Sequence, residues 1–244
     1  MTTHTELLTR LDEQGYVVLE GVLSSAQAAA LRSRSIELAE QEHAAGAARY
    51  LDGKSQRVWN LVNKDPLFAD VIQLPAVLAL HEYLLGADCI LSSFTVNLIG
   101  PGSPAGALHI DYPLSKLPTP LPAFAICANS IYLLDDFTPE NGATWVIPGS
   151  HKRGYGPSEG ATYADRIQLR GKKGDVVLID GRIWHGSGAN QTTDNRVALL
   201  GFFCRAFMKP QQDHLHLVAP AIIEQGTPTL QRLLGLTSQP NRYA

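Results

Sequence analysis

Cysteine is scarce in this 244-residue chain: Cys89, Cys127 and Cys204 lie far apart, and none belongs to a C-x-x-C pair. That spacing excludes a zinc knuckle and a disulfide framework, and each thiol reads as a small buried apolar group. An excess of charge is missing as well. Twenty Lys and Arg against 23 Asp and Glu leave a formal charge of −3, too balanced for a surface that binds nucleic acid or acidic membrane. No run approaches the roughly 18 apolar residues of a membrane span, and the opening MTTHTELLTRLDEQ has no apolar signal core. Repeats and inter-domain linkers are absent too. The expectation is a cytoplasmic protein with no nucleic-acid or membrane partner, folded as a single domain over residues 1–244, its oligomeric state left open.

What is present supports a sizeable core: 45% of residues are hydrophobic and 18% charged. The chain opens helical. Residues 5–14 form a candidate helix stopped by Gly15, YVVLEG (16–21) favours strand, and Ser24 with Gln27 has capping-box spacing before an alanine-rich helix to Glu42. A further helical region covers 65–85. Short β-rich runs then follow at 89–100, 124–137, 144–149, 165–169, 174–180 and 196–207, divided by turns such as GPGSPAG and PENG. Helices first and many short strands later predict a mostly β (α+β) fold, an antiparallel sandwich or barrel buttressed by N-terminal helices. Two loops stand out: YPLSKLPTPLPAF (112–124), whose prolines bar a central strand, and KRGYGPSEGATYADR (152–166). Both flank candidate site strands, and the first should wall the substrate pocket.

The chemistry is concentrated in two places. GALHIDYPL sets His109 and Asp111 two positions apart in an apolar stretch. In extended chain such residues leave the same face, and burying both without partners would cost several kcal/mol. A divalent metal or a plain His–Asp hydrogen bond would each account for the pair. The second place is GDVVLIDGRIWHGSGANQTTDNRVALLGFF (174–203), with His185 ahead of a polar turn and Arg196 opening a strand. Two imidazoles and one carboxylate occupy one face of an octahedral ion and leave three positions open, as in non-haem Fe(II) oxygenases; a structural zinc would close all four of its positions. Arg196 could clamp the far carboxylate of a small diacid, or simply pair with Asp194.

Together H-x-D, N-G-A-T-x-x-I-P-G-S-H and H-G-S-G-x-N-x-T-x-x-x-R resemble the phytanoyl-CoA dioxygenase family of Fe(II)/2-oxoglutarate-dependent oxygenases, from DEQGYVVLEGVLS to about Phe207. The resemblance implies a double-stranded β-helix (jelly-roll) core behind N-terminal helices. It implies His109, Asp111 and His185 as iron ligands, Arg196 and Ser187 as partners of the 2-oxoglutarate 5-carboxylate, and O2 as co-substrate. The implied reaction is hydroxylation of a small molecule, with 2-oxoglutarate converted to succinate and CO2. Asn129 stands close to where some members carry an aromatic residue beside the co-substrate, and Gly106-Ala107 replace a frequent Gln-Pro pair. Retention of Asp111 argues against a halogenase. The rival readings are a cupin-like metal isomerase or hydrolase, which Arg196 argues against, and a non-catalytic small-molecule-binding jelly roll. Arg57, Trp59, Asn60, Asn63 and Asn97 are further candidates for the pocket lining. His151 is expected to hydrogen-bond its own loop, and His214 and His216 to lie in an exposed tail.

Overall fold

Thr3 and Ser24 each close a reciprocal capping box, with Glu6 and Gln27 respectively, and so start α1 (His4–Gln14) and α2 (Ser25–Ala44). The computed structural model describes residues 3–237. Gly15, at φ +79°, ends α1 and turns the chain into β1 (Tyr16–Leu19). Two short strands, β2 (Arg49–Tyr50) and β3 (Gln56–Val58), follow α2. The helical region expected over 65–85 is two helices, α3 (Pro66–Val71) and α4 (Pro75–Leu85). Pro75 has no N–H to continue a helical ladder, but its fixed φ suits the first position of a new helix.

The strands that follow are β4 (Ile90–Ile99), β5 (Cys127–Leu133), β6 (Trp145–Ile147), β7 (Ile167–Gln168), β8 (Val176–Asp180), β9 (Trp184–Gly186) and β10 (Arg196–Cys204). They form a seven-stranded sheet ordered β1-β8-β5-β10-β4-β3-β2 and a three-stranded sheet ordered β7-β6-β9. Every pairing is antiparallel. β4 shows how the large sheet works. Its whole length is buried, yet it alternates in chemistry. Phe94, Val96 and Leu98 join the apolar cluster under α2, α3 and α4, while Ser93, Thr95, Asn97 and Ile99 line a cavity on the other face.

The segment after β10, expected as an exposed tail, folds into α5 (His214–Leu217), α6 (Pro220–Gln225) and α7 (Pro228–Leu233). Leu230 and Leu233 pack into the helix-side core. His214 is buried, and only His216 faces solvent, beside Asp213 at 2.9 Å. No described helix is long and apolar enough to cross a membrane.

His81 of α4 is fully buried and stacks on Phe203 with ring centroids 3.8 Å apart, and neither ring nitrogen finds a partner among the described residues. Burial pushes its pKa down to about 3. Below the ordinary value of about 6.5 the unfolded chain takes up a proton that the folded chain refuses. Stability therefore falls as pH drops through that window, by about 1.4 kcal/mol per pH unit for this one group. Urea midpoints measured at neutral and mildly acidic pH should fall less in His81→Leu than in the native protein; parallel falls would show that His81 carries no such linkage.

Candidate active site

The H-x-D segment forms no regular strand. It runs extended beside β9, with the N–H and C=O of His109 paired to those of His185 at 2.9 and 3.0 Å. The two backbones approach too closely for side chains at every position: a Cβ on Gly186 would lie 2.8 Å from the Ala107 carbonyl oxygen. Two residues on, the Asp111 N–H donates to the Gly181 carbonyl at 2.9 Å, in the turn joining β8 to β9. That turn is braced from within. Asp180 accepts from Arg182 Nη2 at 2.6 Å and Nε at 3.0 Å, and Arg182 Nη1 reaches the Pro122 carbonyl at 3.2 Å.

These backbone contacts bring one ligand atom each from His109, Asp111 and His185 within 4.8 Å of one another. The plain hydrogen bond between His109 and Asp111 is not made among the described residues, since His109 Nδ1 is turned to the Ala107 carbonyl and Asp111 Oδ2 has no partner. His185 Nε2 also stands too far from Asp111 Oδ1, at 3.6 Å. Each imidazole instead turns its Nδ1 to a carbonyl, His109 to Ala107 and His185 to Ile183, both at 3.0 Å. A carbonyl can only accept, so Nδ1 carries the proton and each Nε2 lone pair is left for a cation. Burial holds both imidazoles below their ordinary pKa, with His185 adding to the effect at His109. Burial also pushes Asp111 up to about 7, and its Oδ2 has no partner. Burial outweighs the positive charge that His109 and Arg57 bring to this carboxylate. The donor set fits a divalent metal with an open face.

Arg196 opens β10 opposite Ile99 and is 2% exposed. Its guanidinium lies over the Phe137 ring at 4.2 Å and donates through Nη2 to the Gly142 carbonyl at 3.1 Å, while Nε has no acceptor. Gly142 sits at φ +83°, and a Cβ there would lie 2.9 Å from the Gly188 carbonyl oxygen. Burial lowers the Arg196 pKa to about 9. Asp135, the carboxylate that most offsets this, is itself ion-paired to Arg32 at 2.7 Å, and the surface pair with Asp194 does not form. Two motif residues between His185 and Arg196, Asn190 and Thr192, are structural. Asn190 donates to the carbonyls of Ile99 and Asp194 and accepts from Thr192, fixing the turn from β9 to β10.

His109, Asp111, His185, Arg196, Ser187 and Asn129 all line one cavity of about 350 Å³, as do Arg57, Trp59 and Asn97. Ser187 Oγ accepts the Gly106 N–H at 3.2 Å. Among the described residues, five side-chain atoms on this cavity are buried without partners: Asp111 Oδ2, Arg196 Nε, Arg57 Nε, Asn97 Oδ1 and Asn129 Oδ1. Buried polar groups are normally satisfied, so their convergence marks a place built for a polar ligand. Asn60 and Asn63 lie off this cavity and tie down the C-terminal helices. Asn60 Nδ2 donates to the Leu217 carbonyl, and Asn63 Oδ1 accepts the Ala219 N–H. His151 contacts the Asp12 carbonyl of α1 at 3.1 Å. The proline-rich loop walls a second cavity of about 370 Å³ that shares His109, through Leu114, Leu117 and Leu121, with Tyr155 and Pro157 opposite.

Sequence reasoning missed Ser93, Thr95, Thr144, Leu200, Phe202 and Gln211 among the lining residues. The alternation in SFTVNL was the available signal for β4, a polar face on a strand with no solvent side.

Comparison with known proteins accords with this geometry. A model of the family described as phytanoyl-CoA dioxygenase (PhyH) matches residues 11–198. The dioxygenase af480 of Aspergillus fumigatus is 34% identical over 235 residues, covering 93% of this chain and 75% of the relative. The dioxygenase FUM3 of Gibberella moniliformis is 29% identical, covering 96% and 83%. Among solved structures, HygX from Streptomyces hygroscopicus, with nickel, 2-oxoglutarate and hygromycin B bound, superposes with a TM-score of 0.71 at 18% identity. That match covers 85% of this chain and 90% of HygX, a likeness of fold that places the two sheets as the halves of a jelly roll. With the family model spanning well over half of its length, the chain belongs to the phytanoyl-CoA dioxygenase family of iron- and 2-oxoglutarate-dependent oxygenases.

Proposed function

We propose that His109, Asp111 and His185 hold iron(II), that Arg196 with Ser187 receives the far carboxylate of 2-oxoglutarate, with Asn129 beside the co-substrate, and that the enzyme hydroxylates an unactivated C–H bond of a small molecule. The observation that carries this reading is the set of five unpartnered buried atoms around one cavity, with a cationic end at Arg196 and a ligand set at Asp111. With both bound, iron would activate O2 as the oxidant, one oxygen atom going to the substrate and the other to succinate as 2-oxoglutarate loses CO2.

The chain supplies geometry and exclusion. The Ala107 and Ile183 carbonyls lock the two imidazole tautomers, and the Gly181 carbonyl fixes the backbone of Asp111. Arg196 sets where the co-substrate lies. Ile131, Ile179, Leu200 and Phe202 give the cavity an apolar wall. The three free, buried cysteines support a reducing compartment such as the cytoplasm, and we read the whole chain as one catalytic domain.

Anaerobic addition of Fe(II) and 2-oxoglutarate should give a visible charge-transfer band. Screening candidate metabolites in air should then give succinate in step with hydroxylated product. An isomerised or hydrolysed product formed without succinate would return the cupin-like reading.

A further inference from the structure

Of the three ligand side chains, two are aimed by hydrogen bonds of their own and the third is not. His109 and His185 each turn Nδ1 to a carbonyl. Among the described residues the Asp111 side chain makes no hydrogen bond: Oδ2 has no partner, and Oδ1 comes no nearer than 3.6 Å to His185 Nε2. A carboxylate that binds a metal is ordinarily steadied by an outer hydrogen bond. Here its direction rests on the backbone, through the bond from the Asp111 N–H to the Gly181 carbonyl. Whatever fixes Gly181 therefore fixes the carboxylate.

Gly181 is held from both sides. Its own N–H donates to the Cys127 carbonyl at 3.0 Å, so one peptide ties the end of β5 to the H-x-D segment. The turn lies hard against β5, since a Cβ on Gly181 would collide with Cys127 Sγ. Across Gly181, Asp180 Oδ1 accepts the Arg182 N–H at 2.9 Å, and the Arg182 guanidinium grips both Asp180 oxygens. The remaining arm, Nη1, reaches the Pro122 carbonyl. That reach matters because the proline-rich loop leaves directly from Asp111 and returns past Pro122. One turn thus pins the loop at both ends, and a pull on the loop is stopped before it reaches the ligand. We propose that Arg182 is a positioning residue for the metal site, setting the direction of the Asp111 carboxylate through Gly181 without touching the metal. A planar fork suits the task, because it engages a carboxylate and a carbonyl at once in fixed directions.

This proposal rests on the iron reading, so its test begins with anaerobic calorimetry of Fe(II) alone on the native protein and on Asp111→Ala. Arg182→Gln should weaken Fe(II) by roughly 10–100-fold. Arg182→Lys should weaken it less, since lysine keeps a charge beside Asp180 but has no fork to span Asp180 and Pro122. Arg182→Gln also strands a buried carboxylate, so the double variant Asp180→Asn with Arg182→Gln is measured beside it. Asparagine still accepts the backbone N–H across Gly181, and this variant should bind Fe(II) at least tenfold more weakly than the native protein. Arg232→Gln is the control for a merely structural loss. Arg232 pairs with Glu82 at 2.6 Å and donates to the Cys89 carbonyl at 2.9 Å, the same two kinds of partner, away from the site cavity. It should lower the melting temperature of the metal-free protein and leave Fe(II) affinity native. Native Fe(II) affinity in Arg182→Gln or in the double variant, whatever the fall in melting temperature, would overturn the proposal. An equal loss in Arg232→Gln would overturn it too, by showing that loosening the fold anywhere suffices. If Asp111→Ala binds Fe(II) as the native protein does, the ligand assignment fails instead, and that is seen before any Arg182 variant is measured.

Discussion

Arg196→Gln should raise the 2-oxoglutarate concentration needed for half-saturation by roughly 30- to several-thousand-fold while leaving iron binding intact. The magnitude comes from removing one partner of a buried charge pair, which costs about 2–5 kcal/mol, at tenfold per 1.4 kcal/mol. Its physical basis is the position of the guanidinium: Arg196 is 2% exposed, its guanidinium over Phe137 and, among the described residues, hydrogen-bonded to the Gly142 carbonyl alone. Buried away from bulk solvent, a carboxylate stranded there would lose its charged partner where desolvation is costly. Lysine should fall between arginine and glutamine, since it restores charge without the planar fork. Monocarboxylate 2-oxoacids should partly rescue the glutamine variant because they strand nothing. Binding isotherms for both co-substrate types decide the matter, and unchanged 2-oxoglutarate affinity in Arg196→Gln would remove the clamp from the mechanism.

Asp111→Ala and His109→Ala should abolish the charge-transfer band and weaken iron binding by more than the roughly 10–100-fold that loss of an outer-shell partner costs. Of the two, Asp111→Ala separates function from folding more sharply. Its carboxylate is buried with one oxygen unpartnered, an arrangement that destabilises the metal-free fold. Replacing it should leave the melting temperature of the metal-free protein unchanged or higher. Added iron should raise the melting temperature of the native protein by mass action and that of the variant scarcely at all. A steep fall in the metal-free melting temperature would mark Asp111 as a structural residue. Full iron binding by His109→Ala would remove it from the ligand set.

The parts of the fold legible in the sequence are those governed by local rules. The capping box at Ser24, the stop at Gly15 and the β-rich runs of the central strands all follow from nearest-neighbour chemistry. The strands β2 and β3 were illegible because runs of two and three residues carry no periodicity and exist only by pairing with β4. The helices after β10 were hidden for a related reason: each is four to six residues long and is held by distant groups such as Asn60 and Asn63. In the site, His109, Asp111, His185 and Arg196 could be nominated because their residue types are costly to bury and their spacing is distinctive. Ser93, Thr95 and Thr144 are common on any strand, and only the closure of two sheets over them gives them a role.

The division of labour between the sheets has a consequence for co-substrate choice. Arg196 belongs to the seven-stranded sheet, whereas His185 belongs to the three-stranded one, with His109 bridged to its edge. In the proposed arrangement the co-substrate is a strut set between two walls, and packed sheets keep a spacing of about 10 Å. The length of the diacid is therefore gauged by the thickness of the fold itself. Such a gauge cannot be reset by exchanging one lining residue, because the distance is held in common by every side chain that keeps the walls apart.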